Sequence, residues 1–131
     1  ASVGDYSYTF IGDDFYEAVI NWNKRRFDVH IEKEWIKLTF GTVSTLHYIV
    51  QAYTKEGEGV LINTPAYAPF AEAVVNNNRK LCCSPLKLEN TRYYLDFEDM
   101  ENQMKSGNIH VFIFCSPKTQ SGRIWRCSIE R

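Results

Sequence analysis

Residues 35–67 constrain the fold most. WIKLTFGTVSTLHYIVQAY leads through the turn TKEGEG into VLINTPAY. Side chains alternate from Trp35 to Phe40, which predicts a strand ending at Phe40. A Gly41-Thr42-Val43 turn follows, and Val43, Leu46, Val50 and Tyr53 then recur at helical spacing until EGEG stops them. The continuous apolar run VLI suits a strand covered on both faces. Strand, helix and strand within about thirty residues predict a βαβ unit with a parallel pair and a right-handed crossover.

The pattern repeats downstream. Ala68–Asn77 predicts a helix with the asparagine run as its polar stop, and Lys80–Ser84 a strand. Asp96 is placed to cap a helix over FEDMENQMKSG, ending at Gly107. IHVFIFC, residues 109–115, is the most apolar strand and is expected at the centre of the sheet. Upstream, Asp13 or Asp14 opens a helix in which Phe15, Val19 and Trp22 share a stripe. Lys24, Arg25 and Arg26 complement its C-terminal dipole near Phe27. The expected fold is α/β: one partial domain over residues 1–131, with a mainly parallel sheet of about four strands and helices on both faces.

With 131 residues, 44% hydrophobic and 24% charged, the composition is that of a globular domain. The net charge of −1, with both signs interspersed, leaves no electrostatic footprint for nucleic acid or an anionic membrane. No apolar run reaches the roughly 18 residues of a membrane span, and the N-terminus lacks the basic-then-apolar order of a signal peptide. A cytoplasmic location is expected. Cysteines at 82, 83, 115 and 127 show neither zinc spacing nor a disulfide framework, so buried, reduced thiols and no metal site are expected.

In open parallel sheets ligands bind beyond the carboxyl ends of the strands. Three predicted strands end in distinctive loops: FGTVS, TPAY and CSPKTQSG. A helix start at Gly41 presents bare N–H groups to an anion, and Tyr67 offers a flat ring at the next strand end. No GxGxxG or GxxxxGK[ST] occurs, which argues against a generic nucleotide-binding βαβ unit.

These loops, with the lead-in Tyr8-Thr9, the segments DDFYEAVINWNKRR, VLINTPAYAPF and PLKLENTRYYLDFEDME, and the loop CSPKTQSGRIW, resemble the fold-type I pyridoxal-phosphate (PLP) enzymes. The likeness points to the MalY/PatB group of class I/II aminotransferase-like C–S β-lyases, which includes cystathionine β-lyases. It implies PLP as cofactor, with its phosphate cradled by N–H groups around Gly41, Thr42 and Val43 and its ring stacked by Tyr67. Tyr8 matches a tyrosine that reaches the phosphate of a neighbouring subunit, which implies a homodimer acting on small amino-acid substrates.

The chain also departs from the family pattern. Where the family loop reads N-P-x-N-P-x-G, this chain has Ser116-Pro117-Lys118-Thr119-Gln120-Ser121-Gly122. Thr119 thus replaces the asparagine that hydrogen-bonds the cofactor's phenolic oxygen, and its hydroxyl offers one donor in place of two. No lysine here stands in the context of the family's cofactor-tethering lysine, and no residue matches its pyridinium-pairing aspartate or carboxylate-binding arginine. The resemblance therefore implies a cofactor-binding part with no catalytic residue of its own, inactive alone. The contrasting expectation is a non-catalytic α/β module that binds a phosphate-bearing ligand or a protein.

Overall fold

The structure is a computed structural model that describes residues 10–125. The described residues form two compact units, divided between Leu38 and Thr39. In the first, helix α1 (Asp13–Phe27) carries Asp13 and Asp14 in its first turn and Lys24, Arg25 and Arg26 in its last, so both ends complement the helix dipole. Its N-cap is Gly12, and neither aspartate caps it through a side chain. Asp28 ends it in the left-handed conformation, its N–H bonded to the Asn23 and Lys24 carbonyls.

The expected strand from Trp35 to Phe40 does not form. A 3-10 turn occupies Lys33–Trp35, closed by bonds from Trp35 N–H to Glu32 O and from Ile36 N–H to Lys33 O. Trp35, Leu38 and Phe40 are all exposed, Phe40 at 95%. Alternation stabilises a strand only when a neighbouring strand takes its backbone groups. Residues 36–40 have no such neighbour among the described residues. The βαβ unit expected to begin there is thus not seen.

In the second unit, helix α2 (Thr42–Tyr53) is followed by strand β1 (Gly59–Thr64), helix α3 (Ala68–Val75) and strand β2 (Lys80–Pro85). Then come the short strands β3 (Lys87–Glu89) and β4 (Arg92–Tyr94), helix α4 (Phe97–Ser106) and strand β5 (Ile109–Ile113). β1, β2 and β5 form a parallel sheet in the order β2-β1-β5, three strands among the described residues where about four were expected. β3 and β4 pair as a separate antiparallel hairpin, which the sequence pattern did not suggest. β1, not β5, is central: β1 is buried over Gly59–Asn63, whereas of β5 only Ile113 is buried. The longer apolar run of β5 has one strand neighbour among the described residues instead of two.

The chain steps from β1 to β2 through α3, then back past β1 to β5 through α4. With a constant crossover hand, steps in opposite directions place their helices on opposite faces. Val60, Ile62 and Ile113 accordingly pack with Val50 of α2 and Val74 of α3, while Leu61 and Cys82 pack with Met100 of α4. Helices cover both faces, as expected. Cys82 is buried and Cys83 exposed, which is the opposite-face placement of neighbours on a strand; both are free thiols, as is Cys115. Cys127 lies outside the described residues.

Asp96 caps α4 as the sequence indicates, accepting the Asp99 N–H at 3.1 Å, and pairs with Lys87 Nζ at 3.0 Å. The Lys87 bond and the Asp99 N–H hold its carboxyl below the ordinary value of 3.8. A depressed carboxylate adds stability above its unfolded-state value and loses it as pH falls through the folded-state value. Asp96→Asn should therefore flatten the acid limb of a thermal-melt series below about pH 4, leaving the neutral-pH slope unchanged; an acid limb identical to wild type would refute this role.

Candidate functional site at the strand carboxyl edge

α2 joins β1 through the short turn 54–58 and packs through Val50 and Leu46 with Val60, Ile62 and Ala66, the last just beyond the strand end, which directs its N-terminus toward the edge where the parallel strands end. The Gly41 N-cap has φ 102° and ψ 162°, a conformation accessible essentially only to glycine. The first ladder bond is Thr45 N–H to Gly41 O at 3.1 Å. The N–H groups of Thr42, Val43 and Ser44 precede it, with no side-chain cap and no acidic residue in the first turn. Thr45 Oγ1 also donates to Gly41 O at 2.9 Å. Its proton being used there, Thr39 Oγ1 must donate in the 2.6 Å Thr39–Thr45 contact. These hydroxyl bonds brace the turn, and the amides of Thr42, Val43 and Ser44 have no hydrogen-bond partner among the described residues.

The other helix starts differ. α1 has two aspartates in its first turn, α4 is capped by Asp96, and α3 has a proline there. Among the described helices only α2 combines an uncapped start with no negative charge or proline.

Tyr67 is the N-cap of α3, three residues beyond β1, and is 52% exposed. Its ring and that of Phe70 meet in a T-shaped pair, at 5.9 Å between centroids and 88° between planes, which restrains the ring at the surface. Thr119 is exposed in the loop after β5, where its carbonyl accepts the Gly122 N–H at 3.3 Å. Gly122 adopts φ 63°, which lets the loop turn back. Gly41, Thr42, Val43, Tyr67 and Thr119 thus all lie at the strand-end edge. Tyr8 lies outside the described residues.

Two features escaped sequence reasoning. Lys118, in a variable position of its loop, is 3% exposed, and its Nζ donates to Asn63 O at 3.0 Å. Burial lowers its amine below the ordinary 10.5, opposed by the nearby Cys115 thiol. No pattern announces this, because a loop lysine is ordinarily solvated. Asn63 and Ser84 form the second: register partners facing the α4 side, both buried, with Asn63 Nδ2 reaching Ser84 O at 3.4 Å. An amide inside the buried run VLINT was the available signal, since a buried amide must find partners.

Residues 2–128 match the family of class I and II aminotransferases. The chain belongs to that family. It is similar in sequence to the cystathionine beta-lyase PatB of Bacillus subtilis, at 34% identity over 122 residues, covering 93% of this chain and 32% of that protein. Cystalysin from Treponema denticola, which contains a pyridoxal 5′-phosphate cofactor, superposes with a TM-score of 0.90 at 33% identity, over 96% of this chain and 32% of its own. The PLP-bound C–S lyase from Staphylococcus hominis gives 0.89 and 30%, over 95% and 32%. This class I and II aminotransferase chain thus spans about a third of the length of these relatives.

The donor set at the α2 start fits a phosphate: three amides with no partner among the described residues, at the positive end of a helix with no carboxylate in its first turn. A second place with positive charge is a cleft lined by Arg92, Tyr94, Phe97, Arg123 and Trp125. There the Arg123 guanidinium already stacks at 5.7 Å on Tyr94 and 5.6 Å on Trp125. The cleft includes neither Gly41 nor Tyr67 nor Thr119.

Proposed function

We propose that this chain is the cofactor-phosphate-binding part of a PLP-dependent C–S β-lyase or aminotransferase acting on small amino acids, sulfur-containing ones such as cystathionine in the lyase reading. The observation that carries the proposal is the uncapped, acid-free start of α2 at the edge shared by the Tyr67 and Thr119 loops. The amides of Thr42, Val43 and Ser44 donate to the phosphate oxygens, and the helix dipole favours their charge. Tyr67 offers a ring face to the pyridine ring. Thr119 donates its hydroxyl to the phenolic oxygen, supplying one donor where the family asparagine supplies two. When bound, PLP supplies an electron sink for bond breaking at the substrate α-carbon.

Residues 1–131 act as one partial cofactor domain in this proposal. A homodimer, with Tyr8 reaching across to the neighbouring phosphate, and a cytoplasmic location complete it. No lysine of this chain stands in the tethering context, so these 131 residues bind PLP without a covalent bond and do not turn over substrate. The test is to mix the purified chain with PLP, reduce with borohydride and record the intact mass beside an equilibrium dialysis. Retained PLP with no stoichiometric adduct is expected. A one-to-one adduct on a single lysine would show that the chain carries its own tether and overturn the inactivity.

A further inference from the structure

We propose that Lys118 is a positioning residue, a buried strap whose Nζ bond to Asn63 O sets the spacing between the loop carrying Thr119 and the loop carrying Tyr67. The β1–β5 ladder ends at the pair Ile62 and Ile113. Carbonyls alternate in direction along a strand, and that of Thr64 faces β2, where it accepts the Leu86 N–H at 2.8 Å. The Asn63 carbonyl therefore faces the side that β5 has already left. A buried carbonyl without a partner is costly, and Lys118 Nζ supplies the donor at 3.0 Å that the strand no longer provides.

Both ends of this strap are anchored. Lys118 N–H bonds Arg123 O at 2.8 Å and Arg123 N–H returns to Lys118 O at 3.3 Å, closing the loop that displays Thr119. Asn63 is held in turn by its β2 neighbour through Nδ2 and Ser84 O. Tyr67 follows four residues later. At 3% exposure, Lys118 is a fixed internal donor and not a free surface cation.

The positioning role rests on the cofactor reading of this edge, but the strap itself is measurable without cofactor. Hydrogen exchange followed by mass spectrometry should show Lys118→Met quickening both 63–67 and 116–123 by about tenfold, with 97–106 unchanged. Lys118→Arg, which keeps a cationic donor, should restore most of that protection, and PLP retention should follow the same order. Unchanged exchange in either segment, or equal quickening across 97–106, would overturn the strap. Should Lys118→Met fail to fold, amine acetylation of the wild-type chain decides the matter: Lys118 should react at least about tenfold more slowly than exposed Lys105, and equal rates would overturn the proposal. If the wild-type chain retains no PLP, the cofactor reading falls while the exchange result still decides the strap.

Discussion

Gly41→Val should weaken PLP binding by about tenfold to a hundredfold, because it forces a β-branched residue into a backbone conformation that costs on the order of 1–3 kcal/mol. A Cβ at this position would meet nothing within 4 Å, so the penalty comes from φ 102° itself and not from crowding. The chain relieves it by rotating the turn, which redirects the Thr42, Val43 and Ser44 amides while Val50, two turns further on, keeps its place in the core. Loss of affinity with an unchanged far-ultraviolet circular dichroism spectrum is the expected pair of results. Unchanged affinity would remove the phosphate from this turn.

The second large effect concerns the sheet. Leu61 is fully buried in the central strand and packs in the cluster with Cys82 and Met100, flanked by Leu95, Ile109 and Phe112. Leu61→Ala removes that contact from a site enclosed by α4 and both neighbouring strands, where the surroundings close only partly over the void. A cost of about 2–5 kcal/mol is expected. That is a large share of a typical domain's roughly 5–15 kcal/mol, and it should appear as a much lower urea midpoint with an unchanged slope. A shift corresponding to less than about 1 kcal/mol would mean that β1 is not the centre of the core.

Much of this arrangement was legible from the residues. The apolar run at 60–62, the Asp96 cap and the Gly107 stop each act locally, so β1 and α4 could be read without knowing their neighbours. The family comparison agrees with the resemblance carried by the three strand-end loops. Strand pairing was not local. Trp35 to Phe40 alternates well enough for a strand, yet its fate depends on a partner the alternation cannot supply. The centre of the sheet was misread for the same reason: apolarity alone cannot tell which strand has two neighbours, and among the described residues β5 has one. The β3–β4 hairpin turns through Asn90 and Thr91, both at positive φ, a conformation for which threonine gives no cue. Lys118 was illegible because its burial follows from where β5 leaves the ladder, which is a property of the assembled sheet.

The central claim is that phosphate sits on the α2 amides. A titration of the isotope-labelled chain with PLP, and separately with inorganic phosphate, followed through its backbone amide resonances, tests it most directly. The account predicts that both ligands move the Thr42, Val43 and Ser44 signals, with Tyr67 responding to PLP alone. Shifts confined to Arg92, Arg123 and Trp125, with the α2 start silent, would contradict it.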